Sequence, residues 1–295
     1  MMNPKGISNS QTLCAYFGEC GGCQLQDVEY SEQLQLKGET LRKQFAAYWD
    51  EAIPVHPSPA VWNYRNKVDM NFARMQYDEK PPDDFVRETV LGFNKKGKWY
   101  HPLDIEECRI GPESTTALTA AVREWAGAHD HRAADRRAED GILRILLHRE
   151  SRRTGEGMVV LITSDGALET ESFVEAVRAV YPAMSIYRGI DRGTARGAFA
   201  DELELLYGKE HINEALHVPD GSDVRKLHFR ISPFSFFQTN SLGAEVLYGI
   251  IREWVREVSP SILYDLYGGA GGIAFACSDL VDIVRSVEVV DSATA

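Results

Sequence analysis

The sequence lacks long apolar runs, and it has no overall excess of positive charge. No apolar stretch in the 295 residues approaches the ~20 residues that a helix needs to cross a bilayer. The start of the chain, from Met1 to Ser10, is polar and lacks the apolar segment of a signal peptide. We therefore expect a cytoplasmic protein without a membrane partner.

The net charge of −12 excludes a protein that binds nucleic acid through an overall basic surface. It leaves room for a local basic groove, because phosphate contacts depend on where Lys and Arg lie rather than on their sum. A composition of 44% hydrophobic and 26% charged residues is typical of a folded globular protein. The length favours about two domains, at roughly 150 residues per domain.

Cysteine is also scarce and unevenly distributed. The chain has five cysteines, and Cys14, Cys20 and Cys23 lie close together near the N-terminus. Because a reducing compartment disfavours disulfides, a metal or cluster site is the leading interpretation, with three unligated thiols as the alternative. Four thiolates suit either Zn²⁺ or a 4Fe–4S cluster. The spacing leaves open whether the fourth ligand is Cys108 or Cys277. Cys108 lies in a polar stretch, whereas Cys277 lies in a predicted apolar helix, where a small buried side chain is the better interpretation.

Hydrophobic periodicity divides the chain into three predicted parts. Residues 1–53 contain the cysteine motif and an amphipathic helix over 30–45, with Leu34, Leu41 and Phe45 on one face. Residues 54–228 alternate short β-rich runs with helical ones and predict a central α+β domain. Within it, two apolar strands at 142–147 and 158–163 predict a hairpin.

The last part, residues 229–295, is typical of the first βαβ unit of a doubly wound α/β fold. A helix is predicted over 241–258, and strands over 262–267 and 283–290 flank a glycine-rich loop and a short helix. The apolar face predicted for the long helix contains Leu247, Ile250, Ile251, Trp254 and Val258.

The glycine-rich loop is the clearest candidate for a ligand site. Gly269 and Gly271 allow a tight turn and a close approach of the backbone to a ligand. Glu288, at the end of the second strand, is placed to accept both hydroxyls of a ribose, which implies a cofactor with an adenosine moiety. The pattern also fits a dinucleotide fingerprint, and Asp265 at the end of the first strand favours S-adenosylmethionine. A glycine-rich turn without a ligand is the structural alternative.

Basic and aromatic residues recur through the central part, which suits RNA because cations contact phosphates and aromatic rings stack on bases. The candidate RNA-binding residues are Arg65, Lys67 and Arg149. Each basic cluster alone is more often a solvated face than a binding site, and its coincidence with a methyl-donor fold favours RNA.

Several motifs together resemble the RNA 5-methyluridine (uracil-C5) methyltransferase family. The order and spacing of the motifs are similar over nearly the whole chain. They are CAYFGECGGCQ at 14–24, YRNK at 64–67, the stretch 92–108, SPFSFFQTN at 232–240 and DLYGGAG at 265–271. The resemblance implies a Rossmann-like class I methyltransferase domain, incomplete here, preceded by an α+β RNA-binding domain and an N-terminal iron–sulfur segment.

The resemblance also implies residue roles. Gln238, Tyr267 and Glu288 would contact S-adenosylmethionine, and Cys14, Cys20, Cys23 and Cys108 would hold a 4Fe–4S cluster. In this family the four cysteines are found mostly in enzymes that act on 23S ribosomal RNA. The resemblance therefore implies 23S ribosomal RNA as the partner, and we expect the protein to be a monomer. Gly268 stands where the family usually has a cysteine.

The sequence departs from the family at its end. The family's catalytic cysteine adds to uracil C6 so that C5 can attack the sulfonium methyl group, and a base then removes the C5 proton. Neither residue precedes Ala295, so we expect a C-terminally truncated chain that is inactive alone. Two alternatives remain: a non-catalytic iron–sulfur RNA-binding remnant and a nicotinamide-dependent oxidoreductase. The target uridine, and whether it lies in ribosomal or transfer RNA, is left open.

Overall fold

The computed structural model describes residues 13–77, 79, 81–82, 85–135, 140–193 and 197–289. Residues 1–12 of the predicted N-terminal part and residues 290–295 of the predicted C-terminal part lie outside them. The helices are α1 (Tyr30–Phe45), α2 (Thr115–Ala128), α3 (Thr170–Val180), α4 (Ser241–Val258) and α5 (Gly272–Cys277). The strands are β1 (Lys67–Arg74), β2 (Thr89–Lys95), β3 (Lys98–Asp104), β4 (Leu143–Glu150), β5 (Gly157–Thr163), β6 (Ser185–Ile190), β7 (Glu202–Gly208), β8 (Ile212–Asp220), β9 (Asp223–Ile231), β10 (Ile262–Leu266) and β11 (Ile283–Val287).

A mixed seven-stranded sheet forms the centre, in the order β3-β2-β1-β4-β5-β6-β7. Among the described strands of this sheet, β5 and β6 form the parallel pair, because α3 crosses over between these two strands. The predicted hairpin is confirmed as β4 and β5, which pair antiparallel with Leu146 opposite Leu161. The expected central α+β arrangement is therefore present among the described residues.

Both faces of this sheet are covered, and this explains why β5 is a continuous apolar run rather than an alternating one. Val159 and Leu161 pack on the side of α2 and α3. Met158, Val160 and Ile162 pack on the other side, against the β8–β9 hairpin and α4. All seven residues of β5 are buried.

The predicted boundary between residues 228 and 229 falls inside β9. His228 and Phe229 pair with Ala215 and Glu214 of β8 on either side of that boundary. The hairpin packs against α4, so the C-terminal unit includes β8 and all of β9.

The C-terminal elements have the predicted type and order. β10 and β11 form a separate parallel pair, with Leu266 opposite Val287, and α5 connects them. Among the described residues, no helix is long and apolar enough to cross a membrane.

Candidate functional site

The loop between β10 and α5 turns through left-handed backbone conformations. Gly269 and Gly271 have φ angles of 54° and 73°, which glycine adopts without steric cost. Tyr267 has a φ of 60°, an uncommon value for a residue with a Cβ, and its side chain is 91% exposed. The backbone N–H of Gly271 donates to the Gly268 carbonyl at 2.8 Å and closes the turn.

Two carboxylates hold this loop. Glu288 follows β11, and its Oε2 accepts the backbone N–H of Gly269 at 2.8 Å. Asp265 is buried at 7% exposure, and its Oδ2 accepts the backbone N–H of Ala274 at 3.2 Å. Because β10 and β11 are parallel and in register, both acidic residues lie at the carboxyl edge of this strand pair. The structure therefore brings Asp265, Gly269 and Glu288 together.

Gly268 has little space around its Cα. A Cβ at this position would collide with Ser286 Oγ and would lie 3.2 Å from Asp265 Oδ2. The cysteine that the family usually carries here would therefore require Ser286 to move.

The 232–240 segment lies beside the same loop. A Cβ at Gly269 would be 3.7 Å from the Phe236 ring, and Phe236 is 68% exposed. Phe237 packs edge-on against Phe229 with ring centroids 5.3 Å apart. Gln238 is exposed at the end of this segment. The 232–240 segment, which contains Gln238, thus borders the glycine loop through Phe236.

The cysteines meet at a second place. A cavity of about 630 Å³ is lined by Cys14, Cys20, Cys23 and Cys108 among other residues. The N-terminal cysteine segment reaches it by pairing with the end of β2, where the backbone N–H of Gly21 donates to the Asn94 carbonyl at 3.0 Å. Cys277 is fully buried in the other core and does not line the cavity. All five cysteines are free thiols.

Burial sets the acidity of two of these thiols. It raises the pKa of Cys20 and of Cys108 above the ordinary value, and the neighbouring thiols, Cys23 among them, raise both further. Backbone N–H groups of Ile110 and Gly111 oppose this effect at Cys108. A bound cation would act in the opposite direction to burial and favour the thiolate forms of Cys20 and Cys108.

The described residues contain no group of three or more His, Cys, Asp or Glu side chains that could hold a metal ion as they stand. The iron–sulfur cluster therefore stays a prediction. The cavity walls also carry four basic side chains, of which only the first is a candidate RNA-binding residue predicted from the sequence: Arg65, Lys95, Lys98 and Arg109. The guanidinium of Arg109 lies 4.7 Å from the centre of the Trp62 ring. Its position next to Cys108 is the sequence signal that could have identified Arg109 as a residue of the cavity wall.

The three predicted RNA-binding residues have different surroundings. Arg65 lines the cysteine cavity, and its Nε donates to the Lys67 carbonyl at 3.2 Å. Lys67 forms an ion pair with Asp69 at 2.9 Å. Arg149 is only 4% exposed and donates from Nη2 to the Ser235 carbonyl at 3.0 Å.

The prediction that Arg149 contacts RNA is not supported by this geometry, because its guanidinium lies inside the protein. Burial lowers the pKa of Arg149 to about 10, which leaves it charged at neutral pH. Its contact with Ser235 makes it an anchor for the 232–240 segment. Sequence reasoning also missed Asn66, which is buried at 7% exposure and contacts the same segment, although it lies in the YRNK motif.

Comparison with known proteins gives relatives over most of the chain, although no protein-family model matches it. An uncharacterized RNA methyltransferase of Caldanaerobacter subterraneus subsp. tengcongensis is 30% identical over 290 residues, which cover 96% of this chain and 61% of the relative. An uncharacterized RNA methyltransferase of Protochlamydia amoebophila is 32% identical over 294 residues, covering 94% and 64%. The tRNA (uracil(54)-C(5))-methyltransferase of Pyrococcus furiosus is 32% identical over 259 residues, covering 88% and 54%.

A solved structure shares the fold. The crystal structure of Pyrococcus abyssi tRNA (uracil-54, C5)-methyltransferase in complex with S-adenosyl-L-homocysteine matches with a TM-score of 0.72 and 26% identity, covering 92% of this chain and 60% of that one. The chain thus spans less than two thirds of the length of each of these relatives. By sequence and by fold, the chain is related to the RNA methyltransferases over nearly its whole length and has their α/β class I methyltransferase fold with a mixed sheet.

Proposed function

We propose that this chain serves the S-adenosylmethionine-dependent methylation of uridine C5 in RNA. The observation that carries the proposal is the contact between Glu288 and the glycine loop at the paired ends of β10 and β11. In class I folds an acidic side chain at this position accepts ribose hydroxyls of the cofactor. The relatives described above, whose names specify RNA methylation, support the same reading.

The residues at the loop fit S-adenosylmethionine, which supplies an electrophilic methyl group when bound. Glu288 would accept the ribose hydroxyls, and Gly269 and Gly271 would let the backbone approach the ligand closely. Tyr267 exposes nearly its whole side chain beside the loop and could cover the bound molecule. Gln238 would contact the methionine end from the neighbouring segment.

Cys14, Cys20, Cys23 and Cys108 all line one cavity, and four thiolates are the number that a 4Fe–4S cluster takes. A single zinc ion can also take four thiolates, and the resemblance of the four-cysteine motif to the cluster-bearing branch of the family favours the cluster. We therefore propose Cys14, Cys20, Cys23 and Cys108 as the cluster ligands.

For the RNA, we propose 23S ribosomal RNA, because the four-cysteine motif resembles the family branch that acts on it. Transfer RNA is the second candidate, since the relatives whose names state a substrate are transfer RNA enzymes. Arg65 and Lys67 would contact the RNA backbone, while the burial of Arg149 gives it a structural role instead.

The direct test is disruption of the gene in its own organism, followed by mass spectrometry of 5-methyluridine in separated 23S and transfer RNA. We expect one 5-methyluridine to disappear from 23S RNA and to return when the gene is restored. Loss of the modification from transfer RNA would support the second candidate. Unchanged 5-methyluridine in both RNAs would contradict the proposal.

A further inference from the structure

Asn66 makes several hydrogen bonds to one short segment that is far away in sequence. Its backbone N–H donates to the Thr239 carbonyl at 2.7 Å. Its Nδ2 donates to the Gln238 carbonyl and to Ser241 Oγ, both at 2.8 Å. Both hydrogens of the side-chain amide are therefore used on residues 238–241.

Asn66 is itself held firmly from the other side. Its carbonyl accepts the backbone N–H of Glu150, at the end of β4, at 2.9 Å. The preceding residues pair with the chain just after Cys108: the backbone N–H of Arg65 donates to the Ile110 carbonyl at 2.9 Å. Asn66 thus connects the central sheet to the 238–241 segment.

The 238–241 segment has no regular strand or helix to fix its backbone before α4 begins at Ser241. Asn240 caps α4 by accepting the backbone N–H of Gly243 at 2.9 Å, and Ser241 donates to the buried Glu214 at 2.9 Å. These contacts fix the start of the helix. The carbonyl of Gln238 lies ahead of it and is held by the Asn66 side chain.

We propose that Asn66 is a positioning residue that orients Gln238 toward the cofactor, a role that rests on the proposed function. Gln238 is exposed, and Phe236 of the same segment borders Gly269. When the Asn66 amide holds the Gln238 carbonyl, the backbone at Gln238 is fixed within the segment that borders the glycine loop through Phe236. Without that hydrogen bond the segment samples other backbone conformations, and binding must pay the entropy of ordering it.

The first test measures the affinity of the purified chain for S-adenosylhomocysteine by calorimetry. We expect Asn66→Ala to weaken binding about tenfold, as the loss of a buried hydrogen-bond donor predicts. Ser58→Ala is the matched control, because Ser58 Oγ accepts from Asn240 Nδ2 at 3.0 Å in the same segment without touching the Gln238 carbonyl. The control should stay within about twofold of the unsubstituted chain.

A double-mutant cycle separates positioning from a general structural effect. If Asn66 acts through Gln238, the Asn66→Ala and Gln238→Ala double variant binds no more weakly than Gln238→Ala alone. Additive losses would overturn the proposal. Asn66→Asp, which keeps the size but cannot donate to the carbonyl, serves the same cycle if Asn66→Ala does not fold.

The outcomes distinguish the proposed function from the positioning role of Asn66. If the unsubstituted chain does not bind S-adenosylhomocysteine, the proposed function fails. If it binds and both Asn66 variants bind equally well, the function stands and the positioning role is wrong.

Discussion

At the scale of the residue, Glu288 is a carboxylate whose two oxygens both accept backbone N–H groups. Its Oε2 holds the Gly269 N–H and its Oε1 accepts the Val289 N–H at 2.8 Å. Two backbone donors therefore fix the direction of this carboxylate. In the proposed cofactor site, this orientation would present the carboxylate to the ribose hydroxyls.

We expect Glu288→Ala to weaken binding of S-adenosylhomocysteine about ten- to hundredfold, because a charge-assisted hydrogen bond contributes roughly 1.5–3 kcal/mol. Calorimetry on the purified chain measures the effect. Glu257→Ala, an exposed acidic residue on α4, is the control and should leave the affinity unchanged. Tighter binding of NADH than of S-adenosylhomocysteine would instead favour the oxidoreductase.

At the scale of the element, the hydrophobic spacing of α4 predicted that the segment is a helix but did not predict which face of the helix is buried. The helix spans the predicted residues Ser241–Val258. Leu247, Trp254 and Val258 of the predicted apolar face are nevertheless 45%, 61% and 75% exposed. The buried face instead contains Ala244, Tyr248, Arg252 and Val255, which were not predicted to share a face.

Arg252 explains why the predicted face of α4 differs from the buried face, because a fully buried arginine is not expected on the face of a helix that packs against the core. It is 0% exposed, and its guanidinium pairs with Asp220 at 2.8 Å and Asp279 at 2.6 Å. Burial of an arginine is tolerated when its charge is compensated in this way. Both partners come from elements that pack against α4 in the fold, one at the β8–β9 turn and the other after α5. A local sequence pattern within α4 therefore does not predict them.

The cysteine cavity is also a property of elements, since it joins the N-terminal loop to the loop after β3. We expect anaerobically purified protein to contain about four iron and four sulfide per chain. Cys108→Ala should abolish the visible absorption of the cluster, as should alanine at Cys14, Cys20 or Cys23. Cys277→Ala, which removes a thiol buried in the other core, should retain it. Stoichiometric zinc without iron would contradict the cluster assignment.

At the scale of the whole molecule, stability toward acid depends on a histidine in the centre of the fold. His148 on β4 is 1% exposed, lies 2.9 Å from Thr115 Oγ1, and packs edge-on against Tyr181. Burial lowers its pKa from 6.5 to about 3. Between these values the unfolded chain binds a proton that the folded protein does not, so the free energy of unfolding falls as the pH decreases.

For the unsubstituted protein, this single group should lower the free energy of unfolding by about 2 kcal/mol between about pH 7 and about pH 5. Urea unfolding at the two pH values measures it. We expect His148→Gln to reduce the pH dependence by that amount, whereas the exposed His56→Gln should leave it unchanged. An equal pH dependence in all three proteins would show that His148 is protonated in the folded state.

Local patterns in the sequence determined the type and approximate limits of several elements, among them α1, the β4–β5 hairpin, α4 and the β10–α5–β11 unit. Such patterns are sufficient because side-chain period and glycine conformation act over a few residues. The same locality identified the glycine loop and the three N-terminal cysteines as chemical features. It could not decide between Cys108 and Cys277 as the fourth cysteine at the cavity.

Only the tertiary structure decided which distant residues meet. It places Cys108 at the cavity and Cys277 in the opposite core, buries Arg149 against the 232–240 segment, and joins Asn66 to Gln238. Each of these contacts depends on strand register and on how layers pack, which sequence spacing does not encode. The sequence by itself therefore specified the chemical groups, and packing of the sheet faces decided their partners.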